Sequence, residues 1–389
     1  MNHRDRALAA MRGQPVDRVP FIARMDLWYS FHHNQDSLPH PYENASLWDI
    51  QRDLDIGIFG FGAWDISFYR LVHRTVEITR EIACGLTTTH YPTPYGTLTY
   101  REKMSEELKG AAGTGARVEF PFKGPGDYDA LSFLIEDMQV VENYDAYGEF
   151  ADAIGTDGLA LPFSGHLPAH QLMINYMGYE TFYYELHDRP SKVEALVDAL
   201  TEQQRQILRL AADCPAPAIE VGANYDEQMT PAPVFERFFT PFYREAREVL
   251  SANDKVMVVH GDGEMQLLLR KLMECGVQVV EALTPKPMTS IDLAETRRLW
   301  DGRVAMWGGL ASTLLTDAYT DEEFNLYMEE LWQAVAPGDR FILGFGDNAP
   351  TDARFDRIRR AARWWHERGA YPLTSPHGVA ASPPFPPIP

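Results

Sequence analysis

Residues 255–284, KVMVVHGDGEMQLLLRKLMECGVQVVEALT, constrain the fold more than any other stretch of the chain. An apolar run from Val256 to Val259 ends at His260, and Gly261 and Gly263 bracket Asp262 in a tight connection. That pattern predicts a strand that delivers a polar loop. Leu267, Leu268, Lys271 and Leu272 follow at three-to-four spacing, Gly276 stands in a helix-stop position, and a second apolar run, Val277 to Val280, ends on Glu281. The whole is one βαβ unit. Parallel strands need such a crossover helix, and in barrels built from these units the reacting groups sit in loops at the carboxyl ends of the strands. His260, Asp262 and Glu281 all fall on that edge.

Similar patterns recur on either side. Val19 to Ala23 opens onto Arg24, Asp26, Trp28 and Tyr29, a polar and aromatic cluster that reads as a pocket wall or, equally, as packing. Leu47 to Leu54 predicts a helix and Ile56 to Phe61 a strand; Gly57, Gly60 and Gly62 do not form a GxGxxG turn before a helix, so no dinucleotide fingerprint is assigned. Tyr128 to Tyr147 has a helical pattern. The strand pattern Leu159 to Phe163 is followed by Ser164-Gly165-His166. His166 and His170 are four apart, a spacing that can put two metal ligands on one helical face, but Pro168 between them weakens that reading in favour of ordinary surface or core histidines. Val193 to Ala212 is an amphipathic helix, and Ala218 to Val221 a strand leading to Asn224 and Tyr225. The stripe Phe235, Phe238, Phe239 and Phe242 belongs to a core-facing helix. Val304 to Trp307 and Phe341 to Leu343 are further strands, the second running into Gly344-Phe345-Gly346-Asp347-Asn348, and Arg354 to Trp365 is a closing helix.

The alternation predicts an α/β fold, a (β/α)8 TIM barrel in a single domain over residues 1–372. A short surface helix from Arg4 to Arg12, stopped by Gly13, precedes it, and a β-hairpin excursion from Thr87 to Met104 turns at Pro94-Tyr95-Gly96. A doubly wound open sheet is the structural alternative. Residues 373–389, rich in Pro, are expected to be a flexible tail. The chain's 389 residues, 45% of them hydrophobic, suffice for so large a core. With 35 Lys and Arg against 56 Asp and Glu, the formal charge of −21 argues against nucleic acid and anionic membrane surfaces as partners. No run approaches the roughly 18 apolar residues of a membrane span. The three cysteines, Cys84, Cys214 and Cys275, form no paired motif, which points to a reduced cytoplasmic protein.

Four stretches carry a resemblance. The opening RDRALAAMRGQPVDRVPF, the central HGDGEMQLLLRKLMECGVQVVEAL, and the later WGGLASTLL and FILGFGDNAPTD, in this order and spacing, resemble the uroporphyrinogen decarboxylase superfamily. That superfamily includes cobalamin-linked methyltransferases acting on methanol, methylamines and aryl methyl ethers. The resemblance runs from Arg4 to about Pro372 and implies the same (β/α)8 fold. Uroporphyrinogen decarboxylases proper carry an MRQAGRY motif near the first strand that grips substrate carboxylates. Here the region reads ARMDLWYS, where Arg24 alone could serve, which argues against a tetrapyrrole substrate. The methyltransferases bind zinc through a histidine-x-cysteine pair and a later cysteine, and the resemblance puts His260, Asp262 and Asp347 at those positions. One imidazole with two carboxylates is a harder donor set, suited to Zn2+, Mn2+, Fe2+ or Mg2+. The bland alternative is that the two aspartates cap helices or hold loops. Glu281 is then a fourth ligand or general base, or an acid paired with Lys286. Asn224 stands about where many relatives have an acidic residue and is expected to position rather than react.

Two activities follow as expectations. The first is a methyltransferase or demethylase moving a methyl group from a small O- or N-methylated substrate to a corrinoid on a separate protein. The chain lacks the DxHxxG cobalamin signature, since Val258 stands two residues before His260. A divalent metal, zinc among the candidates, would be held by His260, Asp262 and Asp347 and polarise the leaving heteroatom. The second is a metal-independent lyase (decarboxylase) or hydrolase acting on a small carboxylated or phenolic compound, with His260 and Asp347 as acid and base; across both readings the catalytic candidates are His260, Glu281 and Asp347. A non-catalytic binding barrel fits less well with several polar residues converging on one rim. Substrate contacts are expected from Arg24, Asp26, Trp28, Tyr29, His166, Asn224, Tyr225 and Trp307. The expected partners are a small molecule, a corrinoid protein and a second copy in a homodimer.

Overall fold

The computed structural model describes residues 1–62, 66–105 and 115–373; the tail expected from residue 373 lies, from residue 374, outside the described residues. In chain order the strands are β1 (Ile22–Ala23), β2 (Gly57–Gly62), β3 (Tyr69–His73), β4 (Thr79–Ala83), β5 (Leu86–Thr93), β6 (Gly96–Lys103), β7 (Ala116–Glu119), β8 (Met138–Glu142), β9 (Gly158–Pro162), β10 (Ala218–Glu220), β11 (Val256–His260), β12 (Val279–Leu283), β13 (Ala305–Leu310) and β14 (Phe341–Phe345). β1, β2 and β9 form one parallel sheet, and β10 to β14 another. Isolated parallel bridges join their edges: Phe21 pairs with Leu343, Arg24 with Asn348, and Phe163 with Glu220. Helices such as Thr240–Ala252, Leu269–Glu274, Leu293–Trp300 and Asp321–Val335 lie between successive strands of the larger sheet, the crossovers that parallel pairing requires.

Strand side chains alternate between two faces. Ile22, Leu161, Ala218, Val258, Val279 and Ile342 enter one shared apolar cluster. One further step of two along five of these strands reaches Arg24, Phe163, Glu220, His260 and Glu281. The same periodicity that fills the core therefore delivers charged and aromatic groups at the carboxyl edge. The amino-terminal helix, His3–Arg12, joins this cluster from elsewhere in the chain. Its Asn2 cap accepts from the Asp5 backbone N–H at 2.8 Å, and Gly13 at φ 69° ends it. It is not a surface helix: Ala7, Ala9, Ala10 and Met11 are buried among the strand side chains, because a face of small residues lets the helix approach the sheets closely.

Between β2 and β9 the chain leaves the parallel sheets. β4 to β7 make a four-stranded antiparallel sheet and β3 pairs with β8. The hairpin expected over Thr87–Met104 is present as β5 and β6, the middle of that larger sheet. The single helix expected over Tyr128–Tyr147 is instead a helix, Tyr128–Asp137, then β8, then a second helix, Tyr144–Ile154. Val140 and Val141 supply the β-branched residues that suit pairing with β3. The Asp137 carboxylate accepts the backbone N–H groups of Thr75 and Val76 at 3.0 Å each, tying the end of the helix to the neighbouring loop. Among the described residues no helix is long and apolar enough to cross a membrane.

Candidate active site

His260 ends β11, and parallel register places it beside Glu281 of β12. Both side chains are buried, and His260 Nδ1 lies 2.6 Å from Glu281 Oε2. The other ring nitrogen, Nε2, faces Asp262 Oδ2 at 3.6 Å and Asp347 Oδ1 at 3.8 Å. Asp262 is carried by the Gly261-Asp262-Gly263 connection. A Cβ at Gly263 would come within 2.3 Å of the Tyr225 carbonyl oxygen, so glycine lets this loop pack on the loop after β10. Asp347 sits beyond β14 at φ 67° and Asn224 beyond β10 at φ 59°, in the left-handed region that Asp and Asn enter more readily than other side chains. Arg24, just past β1, donates from Nη1 to Asp347 Oδ1 at 2.8 Å, and its guanidinium lies 5.5 Å from the Phe61 ring centroid.

The charges act on one another strongly in this buried setting. Burial opposes a charge on His260, but Glu281, Asp262 and Glu220 hold its imidazole well above the ordinary value. For Asp262, burial acts upward and is outweighed by His260, so its carboxyl is lowered. For Asp347 burial prevails over Arg24 and His260, and its carboxyl is raised. Burial likewise pushes Glu220 up to about 8, with His260 and Arg24 opposing and Glu281 and Asp347 adding to the shift.

A cavity of about 860 Å³ opens onto this cluster, within the size range of small-molecule sites. Arg24, Glu220, His260, Asp262 and Asp347 provide its charged lining, while Phe61, Phe163, His166 and Asn224 are among its walls. Tyr69, Leu71 and Val72 of β3 also line it, so the excursion contributes to the pocket. Of the substrate contacts read from sequence, Arg24, His166 and Asn224 reach the cavity; Asp26, Trp28, Tyr29, Tyr225 and Trp307 are not among its lining residues. Their polar groups are used elsewhere. Trp28 Nε1 donates to Ala353 O at 3.1 Å, Trp307 Nε1 to Ile22 O at 2.9 Å, and the Tyr29 hydroxyl to Ala45 O at 3.1 Å. The Tyr225 hydroxyl meets that of Tyr243 at 2.5 Å, and Asp26 flanks Arg24 at 3.7 Å from the outside. Glu281 touches His260 rather than Lys286, whose ammonium lies 3.6 Å from Asp292. Sequence reading passed over Glu220, although an acid two residues after buried Ala218 is the signal that His260 and Glu281 also give.

Among the described residues, His260, Asp262 and Asp347 are the one group of three or more His, Cys, Asp or Glu with ligand atoms gathered closely, all within 4.8 Å of one another. Donors about 2.1 Å from a tetrahedral ion stand about 3.4 Å apart. The 3.6 and 3.8 Å separations at His260 Nε2 are near that value and all three donors lie within 4.8 Å of one another, so in donor type and approximate spacing the set suits a divalent ion. His166 and His170 do not form a second such group: their rings meet edge to face with centroids 5.2 Å apart, and His170 is wholly buried.

Parallel strands with crossover helices define an α/β protein, with a charged pocket at the strand ends. The chain belongs to the uroporphyrinogen decarboxylase (URO-D) family, which matches over residues 92–368. No curated protein matches it. Among solved structures it is similar to a methyltransferase from Methanosarcina mazei, at 13% identity and a TM-score of 0.57, covering 94% of this chain and 99% of the other. That likeness is one of fold. A match to the fructuronate-tagaturonate epimerase UxaE from Cohnella laeviribosi, at 8% identity and a TM-score of 0.22 over 70% of this chain and 72% of that one, carries no argument.

Proposed function

We propose that this chain is a methyltransferase of the URO-D family, moving a methyl group from a small O- or N-methylated substrate to a corrinoid carried by a separate protein. Its two parallel sheets would act as one (β/α)8 barrel, a reading supported by the bridges at both sheet edges. The observation that carries the function is the convergence of His260, Asp262 and Asp347 on one side of a small-molecule-sized cavity. These residues would hold a divalent ion, zinc among the candidates, and such an ion supplies Lewis acidity toward a leaving heteroatom. The chain's own residues do the rest. Glu281 orients His260 through Nδ1, Arg24 holds Asp347 in place, and Phe61 and Phe163 give the substrate an apolar wall. Metal content and corrinoid absorbance test the proposal together. His260→Ala is expected to lose both bound metal and methyl transfer, and Asp262→Cys to keep metal with its preference moved toward zinc, the softer thiolate partner. If Asp262 is only a loop cap, Asp262→Ala lowers stability by about 1 kcal/mol and leaves metal content unchanged.

The 2.6 Å His260–Glu281 pair supports a second reading, a metal-independent lyase or hydrolase in which His260 exchanges protons with substrate. Protein that is fully active after chelation, and that takes up no ion on incubation, would favour this reading over the first.

A further inference from the structure

Glu220 has no part in the metal site, and its surroundings are unusual for an acid. It ends β10, is 2% exposed, and lines the cavity. Its Oε2 is buried and has no hydrogen-bond partner among the described residues. The nearby cations are engaged with other acids, Arg24 with Asp347 at 2.8 Å and His260 with Glu281 at 2.6 Å. When no ion is bound, an ionised carboxylate in this position would be desolvated, with Arg24 and His260 already paired to other acids, and it would share the site with the Glu281 and Asp347 carboxylates. The neutral acid avoids that cost, and a protonated carboxyl in the cavity lining has an O–H to donate.

We propose that Glu220 is the general acid of this site, giving its proton to the oxygen from which a methyl group departs. The inference rests on the methyl-transfer reading above and narrows it to O-methyl donors. The acceptor is a two-electron nucleophile, a Co(I) corrinoid. Its electron pair forms the new bond to the methyl carbon, and the C–O bond breaks with its pair going to oxygen. The proton passes from Glu220 to that oxygen, so the products are the methylated acceptor, an alcohol or phenol, and the Glu220 carboxylate. Water entering by the cavity mouth restores the proton. The upward push that burial gives this carboxyl agrees with a proton held until an oxygen arrives to take it.

The test compares wild type with Glu220→Gln, using free cob(I)alamin as acceptor and two methyl donors, each rate being taken after the enzyme-free reaction is subtracted. One is a methoxyphenol, whose leaving oxygen needs a proton. The other is dimethylphenylsulfonium, whose thioether leaves neutral and needs none. Glu220→Gln is expected to lose about 10²–10⁴-fold in rate with the methoxyphenol and to stay within a few-fold of wild type with the sulfonium. Equal losses on both donors, or none on either, overturn the role of Glu220. If wild type methylates cobalamin from neither donor, the methyl-transfer reading fails, and infrared spectroscopy still decides whether Glu220 holds a proton. The wild-type minus Glu220→Gln difference spectrum at neutral pH should contain the C=O stretch of a protonated carboxyl, and its absence overturns the proposal whatever the activity.

Discussion

At His260 the two ring nitrogens face separate partners, and a backbone register enforces the separation. Because His260 and Glu281 are paired residues on adjacent strands, the Nδ1 contact is set by β11 and β12 themselves. Nε2 is thereby aimed at the two aspartates. A carboxylate behind a metal-ligating histidine fixes its tautomer and ring angle, and removing such a partner typically weakens metal binding 10–100-fold. Glu281→Gln is therefore expected to weaken divalent-ion binding by that factor in a calorimetric titration, with the stoichiometry at saturation unchanged. Unaltered affinity would show that Glu281 does not orient the ring. His260, Asp262 and Glu281 were legible in the sequence because each follows an apolar strand run, whereas Asp347 came from the resemblance of GFGDNAP to the family's last strand-end loop. Glu220 was not, since Ala218 to Val221 is short enough to read as wholly apolar unless its inward positions are counted in twos. The aromatic residues misled for a different reason: Trp28, Tyr225 and Trp307 lie close to strand ends in sequence, but their N–H and O–H groups find partners inside the core, and no spacing rule reveals that.

At the level of elements, the parallel strands were readable and the excursion only partly so. A repeated strand and helix pattern has two distinct periods to betray it, whereas the run from Tyr128 to Tyr147 compresses a helix, a strand and the start of another helix into a stretch that each period fits in part. The excursion also depends on contacts distant in sequence. Leu98 on β6 is 2% exposed and joins the main core, and β5 and β6 pack on the helix Tyr128–Asp137. Leu98→Ala should cost about 2–5 kcal/mol by urea unfolding; a cost below about 0.5 kcal/mol would mean that the sheet contributes little to the core. Asp137 offers a second probe. Burial acts upward on its carboxyl, but Thr75, the Val76 backbone and His73 lower it to about 2. A lowered folded value means that its stabilisation is present above the unfolded value near 3.8 and is lost as pH falls through about 2. Asp137→Asn is expected to lower stability by about 1–3 kcal/mol at neutral pH, in line with loss of hydrogen bonds to a charged acceptor, and to narrow the gap from wild type at the acid end. A gap independent of pH would exclude a charged Asp137 as the source.

In the molecule as a whole, acid acts on a histidine pair, His166 in the cavity wall and His170 buried beside it. His170, in the helix Pro168–Gln171 after β9, packs against Tyr225 from the loop after β10 and Phe239 from the helix that follows, with ring centroids 5.3 and 5.9 Å away. Its Nε2 lies 3.1 Å from the Tyr179 hydroxyl, while Nδ1 is buried with no partner among the described residues. A proton on this ring would put a charge where several segments meet and none neutralises it. Burial accordingly lowers His170 to about 3 and His166 to about 4. In the unfolded chain both protonate near 6.5. Above that value both states are neutral and the pair adds no pH dependence. Below it the unfolded chain binds more protons, so stability falls as pH drops through 6.5 toward the folded values. Glu220 works in the opposite sense, since its folded value near 8 exceeds the ordinary 4.5 and favours the folded state as pH falls. The general repulsion among 56 acidic and 35 basic residues changes with pH as well. A comparison of wild type with His170→Phe cancels these shared contributions. The expected result is that lowering pH from about 7.5 to about 5 reduces the urea midpoint of wild type more than that of His170→Phe. A difference between the two proteins that stays constant across this window would show that His170 is not held neutral by the fold.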